Sequence, residues 1–169
     1  MLRRLIQPHS WEDSLEGVLY ELNLSPLVAV EPDGSQAQML IAKTLLMLPK
    51  TVRDRVLYLD RVRFIGTPGV YGQYEMSVCQ PHSKPKPTHE IFLDFTAMKS
   101  MTEKNKMATI AHEIAHFILG HAVTPENPCW PKKHYVKERK ADDLCEKWGF
   151  GRAYKTYEDK GRRLSGRRP

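Results

Sequence analysis

His112-Glu113-Ile114-Ala115-His116 places two imidazoles four residues apart with a carboxylate beside the first. On a helix, residues i and i+4 project from one face, so His112 and His116 can grip a single metal ion. Glu113 is turned about 100° from His112, clear of the ligands but within reach of a water on the metal. Zinc suits this donor set, because catalytic zinc sites use three protein ligands and keep one position for water. The chemistry to expect is metal-assisted hydrolysis with Glu113 as general base and one Zn2+ per chain.

A third ligand is then required. Glu138 lies 22 residues beyond His116, at the start of a later helical pattern. A carboxylate there would join two neutral imidazoles and leave a residual positive charge of about one, which lowers the pKa of bound water toward about 7. Asp142 follows one helical turn later, placed to accept the free imidazole N–H of a ligand histidine. His121 competes for the third position. It sits just past Gly120, where the helix should stop, but Leu119 and Ala122 occupy the places where a metzincin pattern has glycine and histidine. A helix cap or a place on the pocket rim are the other readings of His121.

His112-Glu113-x-x-His116 followed by Glu138-x-x-Ala141-Asp142 resembles the gluzincin metallopeptidases, whose third zinc ligand is a glutamate on a later helix. The short spacing is similar to the minimal gluzincins and to the ImmA/IrrE-like peptidases. The resemblance spans residues 89–150 at most. It implies a zincin-like fold and peptide-bond hydrolysis, with Glu113 moving a proton from water to the leaving amine. It also implies a peptide or protein substrate, a regulatory protein in one of the resembling groups. HEIFLDF, residues 89–95, would be the sheet edge along which an extended substrate pairs. Tyr135 and His134, just before Glu138, become candidates for the oxyanion donor or the rim, as does His121 for the rim.

These residues need positioning elements. Trp11, Leu15, Leu19 and Leu22 are spaced for one face of a short helix, and residues 35–48 read as a second that stops near Pro49. Val56–Ile65 and Val70–Cys79 alternate as two strands, and the intervening GTPG predicts a hairpin. HEIFLDF alternates as a third strand. Ser100-Met101-Thr102-Glu103 has the Ser-x-x-Glu spacing of a capping box ahead of the helix that carries the histidines. Gly120 stops that helix. Pro125, Pro128 and Pro131 mark a loop, and a last helix runs from Tyr135 to Trp148, ending at Gly149. The expected fold is α+β: about three antiparallel strands flanked by an active-site helix and a glutamate helix.

With 169 residues, 41% hydrophobic and 27% charged, the chain fits one folded domain, expected over residues 1–151. The net charge of +6 is concentrated. Residues 152–169 hold seven basic and two acidic side chains, so this segment reads as a flexible basic tail, the one part suited to meeting a nucleic acid. No apolar run approaches membrane-spanning length and no secretory signal is evident. The three cysteines, Cys79, Cys129 and Cys145, are too few and too scattered for a disulfide framework. A cytoplasmic, reducing location is expected. The competing function is a non-catalytic, zinc-stabilised module that binds protein or nucleic acid. Glu113 argues against it, because a structural zinc needs no general base and has a fourth protein ligand.

Overall fold

The computed structural model describes residues 13–24, 34–60, 62–66, 73–78, 87–121 and 131–151. Among the described residues, five α-helices and three strands run in the order α1 (Leu15–Leu24), α2 (Gly34–Met47), α3 (Lys50–Asp54), β1 (Val62–Gly66), β2 (Gln73–Val78), β3 (Pro87–Leu93), α4 (Glu103–Ile118) and α5 (Pro131–Lys147). Trp11, the expected basic tail, Cys79 and Cys129 lie outside the described residues.

The sheet is mixed, which corrects the antiparallel expectation. Its strand order is β1-β3-β2, with β1 parallel and β2 antiparallel to β3. β1 and β2, the two strands expected as a hairpin, therefore do not pair; β3 inserts between them. Residues 89–93 explain why, since none of them is exposed: Ile91 and Leu93 are fully buried and the others half-buried, as a central strand requires. Arg63 and Glu90 stand opposite each other in the β1–β3 register and form an ion pair of 2.9 Å. This cross-strand pair supports the parallel alignment. HEIFLDF is thus the middle of the sheet and not its edge.

A second correction concerns residues 55–59, expected as the start of a strand. They form a wide helical turn of the π type continuing α3, closed by the Asp60 N–H donating to the Arg55 carbonyl at 3.0 Å. The Arg55 guanidinium donates to the Asp60 carboxylate across the same turn at 2.7 Å. Alternating apolar residues suit a strand, but this ion pair and the buried Val56 hold the segment helical. Nearby, the buried Arg53 is paired with Asp13.

The core lies between the sheet and α4. Val62 and Phe64 of β1, Ile91 and Leu93 of β3 and Ile110 and Ile114 of α4 share one buried cluster with Leu22, Ile41 and Leu45. α4 also packs on α2 and α5, and α1 on α2. Being surrounded, α4 is buried at every position from Ala108 to Phe117. In the 39–47 stretch the core is supplied by Ile41, Ala42 and Leu45, while Met39 and Met47 face outward.

The start of α4 differs from the expected capping box. Ser100 ends a short 3-10 turn, and Thr102 is the N-cap, its extended backbone letting its hydroxyl accept from the Asn105 N–H at 3.3 Å. A cap accepts from the second or third helical N–H, and only Thr102 stands at that distance. Glu103 instead pairs with Lys43 of α2 at 2.7 Å, tying the two helices together. The last helix begins at Pro131, earlier than expected. Proline fits a first helical position because its missing N–H would have no partner there. No helix among the described residues is long and apolar enough to cross a membrane.

Candidate metal centre

The buried half of α4 carries His112, Glu113 and His116, which are 1%, 4% and 7% exposed. Burial on this scale requires partners for every ring nitrogen. α5 packs alongside and presents Glu138 and Asp142, one turn apart on one face, toward the histidines.

The Nε2 atoms of His112 and His116 lie 3.0 Å apart. Glu138 reaches both, with Oε2 at 3.0 Å from His112 Nε2 and Oε1 at 3.3 Å from His116 Nε2. One donor atom from each of the three residues can be chosen so that all lie within 4.8 Å of one another, and such a group could hold a metal ion. An ion bonded at about 2.05 Å to nitrogen and oxygen at tetrahedral angles keeps its donors about 3.3 Å apart. The two ring nitrogens are near that spacing, and each faces its own oxygen of the Glu138 carboxylate at a similar distance, so the donor set could hold a metal ion such as zinc.

Behind this triangle, each histidine's other nitrogen has its own neighbour. His112 Nδ1 is 3.0 Å from Asp142 Oδ1, and the Cys145 thiol lies beside the same ring. Cys145 is buried and makes no disulfide. His116 Nδ1 is 3.1 Å from His121 Nδ1. His121 therefore meets His116 from behind and takes no place in the three-donor group. It comes back toward the helix because α4 ends in a Schellman turn. Gly120 adopts φ +65°, its N–H donates to the Phe117 carbonyl at 3.1 Å, and the His121 N–H donates to the His116 carbonyl at 2.9 Å.

The electrostatics follow from these contacts. Burial works against a charge on His112, but hydrogen bonds to Asp142, Cys145 and Glu138, with the nearby Glu113 charge, push its pKa up to about 12. Burial also disfavours the Glu138 anion, yet its hydrogen bonds to both histidines hold it well below the usual carboxylate range. Without a metal, a positive His112 and a negative Glu138 thus complete the site. Glu113 has no such compensation. Burial pushes it up to about 7, the Glu138 charge adding to the effect and the His112 charge opposing it. His121 is lowered to about 4, by burial first and then by the neighbouring charges of His116, Lys137 and Lys140.

The structure brings together His112, Glu113, His116, Glu138, Asp142 and His121. Tyr135 and His134 belong to the first turns of α5, but their side chains lie outside the described residues. The approach of Cys145 to His112 was missed from sequence. Its spacing of three from Asp142 and seven from Glu138 was the available signal, because it puts all three on one helical face. An open cleft of about 460 Å³ lies between α2 and the start of α4, floored by Leu40, Phe95 and Met98 and rimmed by Lys43, Lys99 and Lys106. It reaches α4 at Glu103 and Lys106, about 9 Å along the axis from His112, and contributes none of the donors. Comparison with known protein families, with curated proteins and with solved structures finds no match for this chain.

Proposed function

We propose that this protein is a zinc-dependent peptidase of the gluzincin type, in which His112, His116 and Glu138 hold one Zn2+ and Glu113 is the general base. The observation that carries the reading is the convergence of two Nε2 atoms and the Glu138 carboxylate, with the buried Glu113 next to them on α4. Zinc bound there supplies Lewis acidity toward a carbonyl oxygen and toward water. Glu113 accepts a proton from the attacking water and returns it to the leaving amine nitrogen. Burial favours its protonated form, which suits a group that must hold a proton between the water and the leaving amine. Asp142 accepts from His112 Nδ1–H and so keeps the lone pair of Nε2 turned toward the ion.

An extended substrate pairs with a strand edge, and β3 has none to offer. β2 is the edge strand against which α4 packs, so its outer side is the one that would receive a peptide. The competing reading, a closed structural zinc, needs a fourth protein donor; among the described residues the group has three.

The test is zinc analysis of the purified protein together with a peptide cleavage screen, with and without chelator. About one zinc per chain is expected. Glu113→Gln should keep the metal and lower kcat by about 100-fold or more. Glu138→Ala should weaken zinc binding by more than about 100-fold. Cleavage by Glu113→Gln at the parent rate would sink the general-base assignment. Stoichiometric zinc without hydrolysis of any peptide would favour the binding module.

A further inference from the structure

We propose that His121 is a positioning residue for the metal site: its imidazole accepts the Nδ1 proton of His116 and thereby holds His116 with Nε2 toward the ion. The inference rests on the zinc reading above and assigns the second half of the machinery that orients the ligands.

Two ring nitrogens 3.1 Å apart can share one hydrogen bond, in which one N–H donates and the other nitrogen accepts. His116 Nε2 faces His112 Nε2 and Glu138, so a metal there requires it to be a bare lone pair. The proton of neutral His116 is then on Nδ1, and His121 Nδ1 is the acceptor. His121 carries its own proton on Nε2. The other neutral tautomer of His116 would leave two lone pairs facing each other, and that of His121 two N–H groups.

The backbone reinforces the contact. In a Schellman turn the second residue past the cap commonly touches the residue whose carbonyl accepts its N–H, and that contact is usually apolar. Here the two residues are His121 and His116, and a ring-to-ring hydrogen bond replaces the apolar contact. The ring centroids are 5.2 Å apart. Gly120 makes this possible, because φ +65° folds the chain back within one residue. The two ligand histidines are thus oriented differently: His112 by a carboxylate on α5, and His116 by a neutral imidazole from the end of its own helix.

The experiment uses the full chain loaded with zinc. Long-range proton–nitrogen NMR correlations report which nitrogen of His116 bears the proton, and competition with a chelator reports zinc affinity. In the parent protein His116 should be the Nδ1–H form, with that proton shielded from exchange. His121→Ala should lower zinc affinity by about 10- to 100-fold and expose that proton. His121→Asn places an amide oxygen where Nδ1 was and should restore most of the affinity. Parent-like affinity and a protected His116 Nδ1–H in His121→Ala would overturn the inference alone. Failure of His121→Asn to recover what His121→Ala loses would overturn it too, reducing His121 to a packing role. A parent protein that takes up no zinc would overturn the metal reading, and this inference with it.

Discussion

α4 and α5 both end on a glycine in the left-handed region, Gly120 at φ +65° and Gly149 at φ +89°. In each, the following residue sends its N–H back five positions, His121 to the His116 carbonyl and Phe150 to the Cys145 carbonyl. The backbone device is the same; the side chains on it are not. Phe150 is buried and joins Cys145 in the hydrophobic core, so the end of α5 closes the interior. His121 is part-exposed and meets His116 of the candidate metal centre, so the end of α4 returns onto that site. A helix terminator sets where the chain returns, and the residue placed there decides whether the return meets the core or a polar site.

The comparison can be broken most severely at Phe150. Phe150→Ala should cost about 3 kcal/mol of stability in urea unfolding and leave zinc stoichiometry unchanged. A loss of metal without loss of stability would abolish the contrast.

The next largest effect is on the histidine side. In the metal-free protein His112, pushed up to about 12, carries a proton at pH 7, and an ion on Nε2 must displace it. Zinc binding should therefore release at least one proton, and apparent affinity should rise about tenfold per pH unit for each proton released near neutrality. Calorimetry in buffers of different ionisation enthalpy measures that number directly. No release would mean that the ion does not bind through His112.

The smallest effect separates the two glycines. A Cβ at either position would meet nothing within 4 Å, so the cost of alanine is backbone strain alone, about 1 kcal/mol each. Only Gly120→Ala should also weaken zinc binding, because only that turn carries a ring against a ligand. Equal zinc affinities in the two variants would show that the turn does not matter to the site.

Much of the site was legible in the sequence because it is written in helical spacing. His112 and His116, then Glu138 and Asp142, are pairs four apart, and such pairs share a face wherever a helix forms. What joins the pairs is the packing of α5 on α4, which only an analogy to other proteins could suggest. The sheet was less legible. Turn residues report that a chain reverses, not which strand it will lie against, so the insertion of β3 was invisible until Ile91 and Leu93 were seen buried. Ser100 and Thr102 are both capping residues by type, and backbone geometry alone chose the second. Gly120 announced the helix stop, but the direction of the ring after it depends on two dihedral angles and a neighbour.

The central place of β3 also orders events during synthesis. It is the last of the three strands to be made, yet it alone pairs with the other two. Until residue 93 has left the ribosome, β1 and β2 present unmatched amide ladders, and any foreign strand could zip onto them. The arrival of β3 pairs one edge of each at once and leaves only their outer edges open. A pause in translation before this point would lengthen the interval in which both edges of β1 and β2 are open to other nascent chains.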